Sequence, residues 1–125
     1  MCIVRRLPAT AEAPALARGL IRFEFVDCEE EVVTAAELIV SELVSNAVMH
    51  GSSPIELELL RADDIVRATV TDGGAGRPVP KNPGSYEPHG RGLLIVRLLA
   101  HDWGVVEFEA GKSVWFTLQR REAGQ

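Results

Sequence analysis

Glu42-Leu43-Val44-Ser45-Asn46-Ala47-Val48-Met49-His50-Gly51 closes the longest helical pattern in the chain. That pattern runs from Glu31 to His50; Gly51 supplies the stop, and Ser52-Ser53-Pro54 prevents continuation. Apolar residues occupy most of the helix circumference, which predicts a largely buried helix. Glu37, Glu42 and Asn46 therefore stand out, because buried polar groups need partners. Glu42 and Asn46 are four apart and share one face. A carboxylate and an amide oxygen on one face can approach a hydrated divalent ion or a water molecule. The plainer reading is a partly exposed polar stripe, and the helix alone does not choose between the two.

Outward from this helix the chain alternates regular elements with turns. Ile3 to Leu7 reads as a short strand ended by Pro8, and Glu12 to Phe25 as a helix with Pro14 in its first turn. Leu16, Leu20 and Phe23 recur at helical spacing, which predicts one apolar stripe facing the core. Four acids between Asp27 and Glu31 suit a helix start, where the dipole favours carboxylates. Ile55 to Leu60 and Ile65 to Thr71 form a hairpin around Ala62-Asp63-Asp64. Gly92 to Ala100 is apolar and helical. Trp103 to Glu109 and Ser113 to Gln119 make a second hairpin around Ala110-Gly111. The order predicts an α+β fold, a two-layer α/β sandwich whose mostly antiparallel sheet is covered by helices on one face.

Between the two hairpins the composition changes. Six of the eleven glycines and four of the seven prolines fall between Gly73 and Gly92, so Asp72 to Arg91 reads as a long loop. Its first part, Val70-Thr71-Asp72-Gly73-Gly74-Ala75-Gly76, ends a strand on an acid and follows it with glycines that let backbone approach a ligand. Its last part, His89-Gly90-Arg91-Gly92-Leu93, opens a helix whose free N–H groups suit an anion. Taken singly, the first is more often a turn and the second is weak evidence for phosphate. Neither fits the P-loop spacing.

The remaining composition narrows the function classes. A chain of 125 residues is one domain by the usual prior, with residues 1–125 as its span and a core of about 3–119. That length excludes a eukaryotic-type protein kinase, a TIM barrel and a two-half dinucleotide fold. A net charge of −5 argues against a dedicated nucleic-acid binder. No run of eighteen consecutive apolar residues is present, so no membrane span is expected, and the start of the chain lacks a signal-peptide pattern. Cys2 and Cys28 have no metal-ligand spacing, and His50, His89 and His101 form no ligand pattern with them. A reduced, cytoplasmic protein is expected. Acids beside Cys28 raise rather than lower a thiol pKa, which predicts an unreactive cysteine.

The three segments in this order and spacing resemble the GHKL superfamily of ATP-binding domains, which includes gyrase-type ATPases, histidine kinases and anti-sigma-factor serine kinases. Glu42 to Gly51 matches its N box, Asp72-Gly73-Gly74-Ala75-Gly76 its G1 box and Gly90-Arg91-Gly92 its G2 box. Glu37 to Ala47, Gly90 to Val96 and Gly111 to Phe116 are most similar to the short RsbW/SpoIIAB-like serine kinases and their stand-alone actinobacterial relatives. The resemblance spans about residues 3 to 119 and implies the Bergerat fold. It implies that Glu42 orients or deprotonates the attacking nucleophile. It implies that Asn46 coordinates a Mg2+ ion bridging the ATP phosphates. Asp72 would accept a hydrogen bond from the adenine amino group, which guanine does not offer. Gly74 and Gly76 would lie close to the base. Gly90, Arg91 and Gly92 would meet the phosphates, and Arg77 to His89 would form the ATP lid. Many relatives carry Thr directly after the glycine of the last hairpin; here Lys112 stands there and Ser113 follows.

Two functions from different classes follow from the resemblance. One is an ATP- and Mg2+-dependent kinase that phosphorylates a serine of a small anti-sigma-factor antagonist. The other is a non-catalytic ATP-binding module that acts by holding a sigma factor or another regulator. A third, an independent ATPase, predicts hydrolysis with no protein partner. A homodimer is suggested only by analogy to the kinases, and direct contact with nucleic acid or membrane is not expected.

Overall fold

The computed structural model describes residues 1–73 and 92–121. Eight elements follow one another: β1 (Cys2–Leu7), α1 (Ala13–Glu24), α2 (Glu30–His50), β2 (Ile55–Arg61), β3 (Ile65–Asp72), α3 (Gly92–Leu99), β4 (Asp102–Glu107) and β5 (Lys112–Gln119). The strands form one sheet in the order β1-β2-β3-β5-β4, with every pairing antiparallel. Alternation along the strands then separates two faces. Ile55, Leu57 and Leu59 of β2, Val66, Ala68 and Val70 of β3, and Val114, Phe116 and Leu118 of β5 are buried beneath the helices. The opposite face carries Glu58 and Arg67 exposed, with Thr69 and Trp115 half-buried. There the Arg67 guanidinium sits 4.7 Å from the centre of the Trp115 ring, a cation–π contact. The fold is the α+β sandwich expected from the element order.

The central helix α2 buries Val32, Val33, Ala36, Ile39, Val40, Leu43, Val44 and Ala47. It packs against α1, α3 and the sheet. By length and composition it is apolar enough to cross a membrane, which counting uninterrupted apolar residues does not reveal. Its buried row is satisfied within the protein, as in the core helix of an α+β layer. Glu37 has a partner on α1: Arg22 forms ion pairs with both Glu37 and Glu30. These two carboxylates, Glu37 foremost, raise the Arg22 pKa above its ordinary value.

In α1 the buried face differs from the expected one. Leu16 and Phe23 are exposed, at 48% and 74%, while Ala13, Ala17 and Ile21 are fully buried. The inner row thus carries two alanines beside Ile21, and Leu20 packs partly against the core, whereas Leu16 and Phe23 point outward. Ala17→Leu is therefore expected to destabilise the protein by about 1–3 kcal/mol through overpacking. Leu16→Gln is expected to stay within about 0.5 kcal/mol of the parent. Urea unfolding of the two variants checks the contrast.

Cys28 is half-buried near Arg61 and Arg120. Burial pushes its thiol pKa up, Asp27 and Glu29 add to the rise, and the two arginines oppose it. Sequence reasoning had the direction, but the larger cause is desolvation rather than the neighbouring acids.

Candidate functional site

Asp72 is the last residue of β3 and lies in the row that faces the helices. Only 4% of it is exposed. Two glycines make room for its carboxylate. A Cβ on Gly51, at the end of α2, would stand 2.7 Å from the Asp72 carboxyl carbon; one on Gly111 would stand 2.6 Å from Asp72 Oδ1. The backbone N–H of Ser52 points to Oδ1 at 3.5 Å, and Lys112 Nζ lies 3.6 Å from Oδ2. The end of the central helix, the end of β3 and the tip of the second hairpin thus meet around one carboxylate.

Gly51 ends α2 with its N–H donating to the Ala47 carbonyl at 3.0 Å. Its backbone is extended, with φ at −94°, so no left-handed cap is involved. What demands glycine here is the closeness of both the Ala47 carbonyl and Asp72, each 2.7 Å from an added Cβ. Gly73 differs: its φ of +63° is in the left-handed region, and any Cβ would run into the Ala110 carbonyl. Its N–H is shared between the carbonyls of Ser52, at 2.6 Å, and Pro54, at 2.9 Å. The turn after β3 is therefore held on both sides, by the segment after α2 and by the β4–β5 tip.

Glu42 and Asn46 are both half-buried on α2. At about 1.5 Å of rise per residue, Asn46 lies roughly 7.5 Å along the helix axis from Gly51, and Glu42 roughly 13.5 Å. The helix therefore orders these groups outward from Asp72 as amide, then carboxylate. Gly92 is the first residue of α3, which packs against α2. Gly74, Gly76, Gly90 and Arg91, together with the expected lid from Arg77 to His89, lie outside the described residues.

Two features of the site were not legible in sequence. Gly51 and Gly111 read as a helix stop and a turn residue, yet both form walls of the Asp72 pocket. Ser113, the hydroxyl candidate beside Lys112, faces the other side of the sheet, where its Oγ lies 2.6 Å from Thr71 Oγ1. Lys112, directly across from Asp72 in the β3–β5 register, shares the Asp72 face.

The donor set fits an amine-bearing base. A buried carboxylate accepts hydrogen bonds and donates none when ionised, and its glycine walls would be filled by any side chain. Residues 7–118 match the histidine kinase-like ATPase domain family, and the chain belongs to that family. It is thus a domain of ATP-binding type with the GHKL architecture. Among solved structures it is similar to the RsbU and RsbW domains of Rv1364c from Mycobacterium tuberculosis, with a TM-score of 0.76 and 22% identity. The match covers 98% of this chain but 33% of that one, so the likeness carries the fold. No curated protein matches the chain.

Proposed function

We propose that the protein is an ATP-dependent regulator that phosphorylates a serine on a small antagonist of an anti-sigma factor. The observation that carries this reading is the buried Asp72 carboxylate at the meeting point of α2, β3 and the β4–β5 tip. Asp72 accepts a hydrogen bond from the adenine amine. Asn46, farther along α2, would hold Mg2+ through its amide oxygen, and the ion would offset the charge of the phosphates. Glu42, one turn beyond, takes the proton from the attacking serine hydroxyl. Bound Mg-ATP supplies the transferable γ-phosphoryl group. Phosphoryl transfer depends mainly on positioning and charge neutralisation, so this small set of groups is sufficient in kind. The similarity to a chain titled for RsbU and RsbW domains supports an anti-sigma-factor setting, and the acidic composition supports a protein rather than a nucleic-acid target.

The test is labelled-phosphate transfer from ATP to candidate antagonists, with Glu42→Ala as control. Transfer by the parent is expected, and the variant is expected to lose about 100-fold or more in rate while still binding ATP. A stable complex with a sigma factor but no transfer to any antagonist would reassign the protein to the binding-only reading. Hydrolysis at full rate with no partner present would reassign it to an independent ATPase.

A further inference from the structure

β1 and β4 are the two edges of the sheet. An edge strand offers unpaired backbone groups to any extended chain, and proteins guard such edges with charged residues and proline. β1 is guarded: Arg5 and Arg6 are exposed along it, and Pro8 follows it. β4 reads Asp102-Trp103-Gly104-Val105-Val106-Glu107, with no proline and no charge between its ends.

The β4–β5 pairing decides which groups are free. The Phe108 N–H donates to the Gly111 carbonyl at 2.7 Å, and hydrogen-bonded pairs alternate along an antiparallel ladder. In the β4–β5 register, Val106 and Gly104 therefore turn their N–H and C=O groups toward β5. Trp103, Val105 and Glu107 turn theirs outward. Trp103 agrees with this: its N–H donates to Asp102 Oδ1 at 3.0 Å rather than to a strand. Among the described residues no group accepts the outward N–H of Val105 or Glu107. The side chains flanking this stretch are apolar, with Val105 half-buried and Val106 36% exposed. From Asp102 to Gly111 the chain holds three acids, Asp102, Glu107 and Glu109, and no lysine or arginine.

Independently of the nucleotide reading, we propose that the β4 edge at Val105–Glu107 takes up an extended segment of a partner protein, apolar in its middle and basic at its ends. Main-chain hydrogen bonds to Val105 and Glu107 attach the segment, and the flanking side chains select it. Val106 offers apolar area to the middle of the segment, and the acids at either end of the edge attract its lysines or arginines. A second copy of this chain does not fit. Antiparallel pairing of β4 with β4 sets Asp102 of one copy against Glu107 of the other, acid against acid.

Hydrogen exchange of the full chain, read at the Val105 and Glu107 amides, tests this. Two synthetic peptides of alternating valine and threonine serve as probes, one ending in lysines and the other in glutamates. At saturation the lysine-ended peptide is expected to slow exchange at both amides by about 10-fold, the scale of one added hydrogen bond. The glutamate-ended peptide is expected to leave them unchanged. Glu107→Lys combined with Glu109→Lys is expected to reverse that preference. Val105→Pro removes one outward donor at a position where an edge strand tolerates proline, and is expected to abolish the slowing at Glu107. Unchanged exchange at Val105 and Glu107 with the lysine-ended peptide would overturn the proposal. So would protection confined to other acidic stretches, or an equal response to both peptides. Protection that rises with protein concentration in the absence of peptide would overturn it in favour of a second copy.

Discussion

Asp72→Asn is expected to lower ATP affinity by roughly 10- to 100-fold, the range set by losing a charge-assisted hydrogen bond. Asparagine has nearly the same shape, so the glycine walls at Gly51 and Gly111 remain filled as before. The chemistry changes instead. The amide oxygen can still accept from the amine of the base, but without the charge that bond is weaker. Lys112 loses its ion-pair partner, but with 37% of its side chain exposed it keeps access to water. The folding cost should therefore be small, and thermal unfolding of the variant without nucleotide is expected to follow the parent. The paired measurement is calorimetry with ATP beside a melting curve. An intact melt with undiminished ATP affinity would show that Asp72 does not read the base.

Gly73→Ala is expected to act on the fold itself, at about 3–5 kcal/mol of lost stability. Holding an L-residue in the left-handed region, where Gly73 has φ of +63°, costs about 1–2 kcal/mol. The added Cβ then meets the Ala110 carbonyl, so the turn and the hairpin tip must separate. That movement also strains the shared bond from Gly73 N–H to Ser52 and Pro54. Against a typical stability of about 5–15 kcal/mol, such a loss unfolds a substantial fraction of the protein on warming. Gly19→Ala is the matched control. Gly19 lies in α1 with nothing within 4 Å of its added Cβ, so the same substitution there should stabilise by about 0.5–1 kcal/mol. Urea unfolding reads both, and equal midpoints for the two variants would contradict the argument.

Much of the fold was legible because its periodicities are strong. The helix ending at His50 and both hairpins were located within a residue or two, since long apolar runs and turn residues bound them. The face of α1 was not. Leu20 packs partly against the core as expected, but Leu16 and Phe23 outweigh Ala13 and Ala17 in hydrophobicity, which does not report how near a neighbouring helix lies. The place of Asp72 at the end of β3 was legible in the sequence, while its role as a base contact comes from the resemblance alone. Lys112 as its partner was not, because that depends on the register between strands 40 residues apart in sequence. Gly51 and Gly111 carried the wrong explanation for the same reason: what they touch is distant in the chain.

The β3–β5 register also arranges polarity in steps. Val66 with Leu118, Ala68 with Phe116 and Val70 with Val114 are apolar rungs, and Asp72 with Lys112 is the terminal, charged one. The apolar core thus runs out one rung before the end of the row, where a single charged pair takes over. Exchanging the part-exposed Lys112 on the terminal rung opens no hole in the core. The same exchange one rung deeper would leave a cavity or an unpaired charge. A single ladder step is therefore the boundary between a polar position open to water and the sealed core.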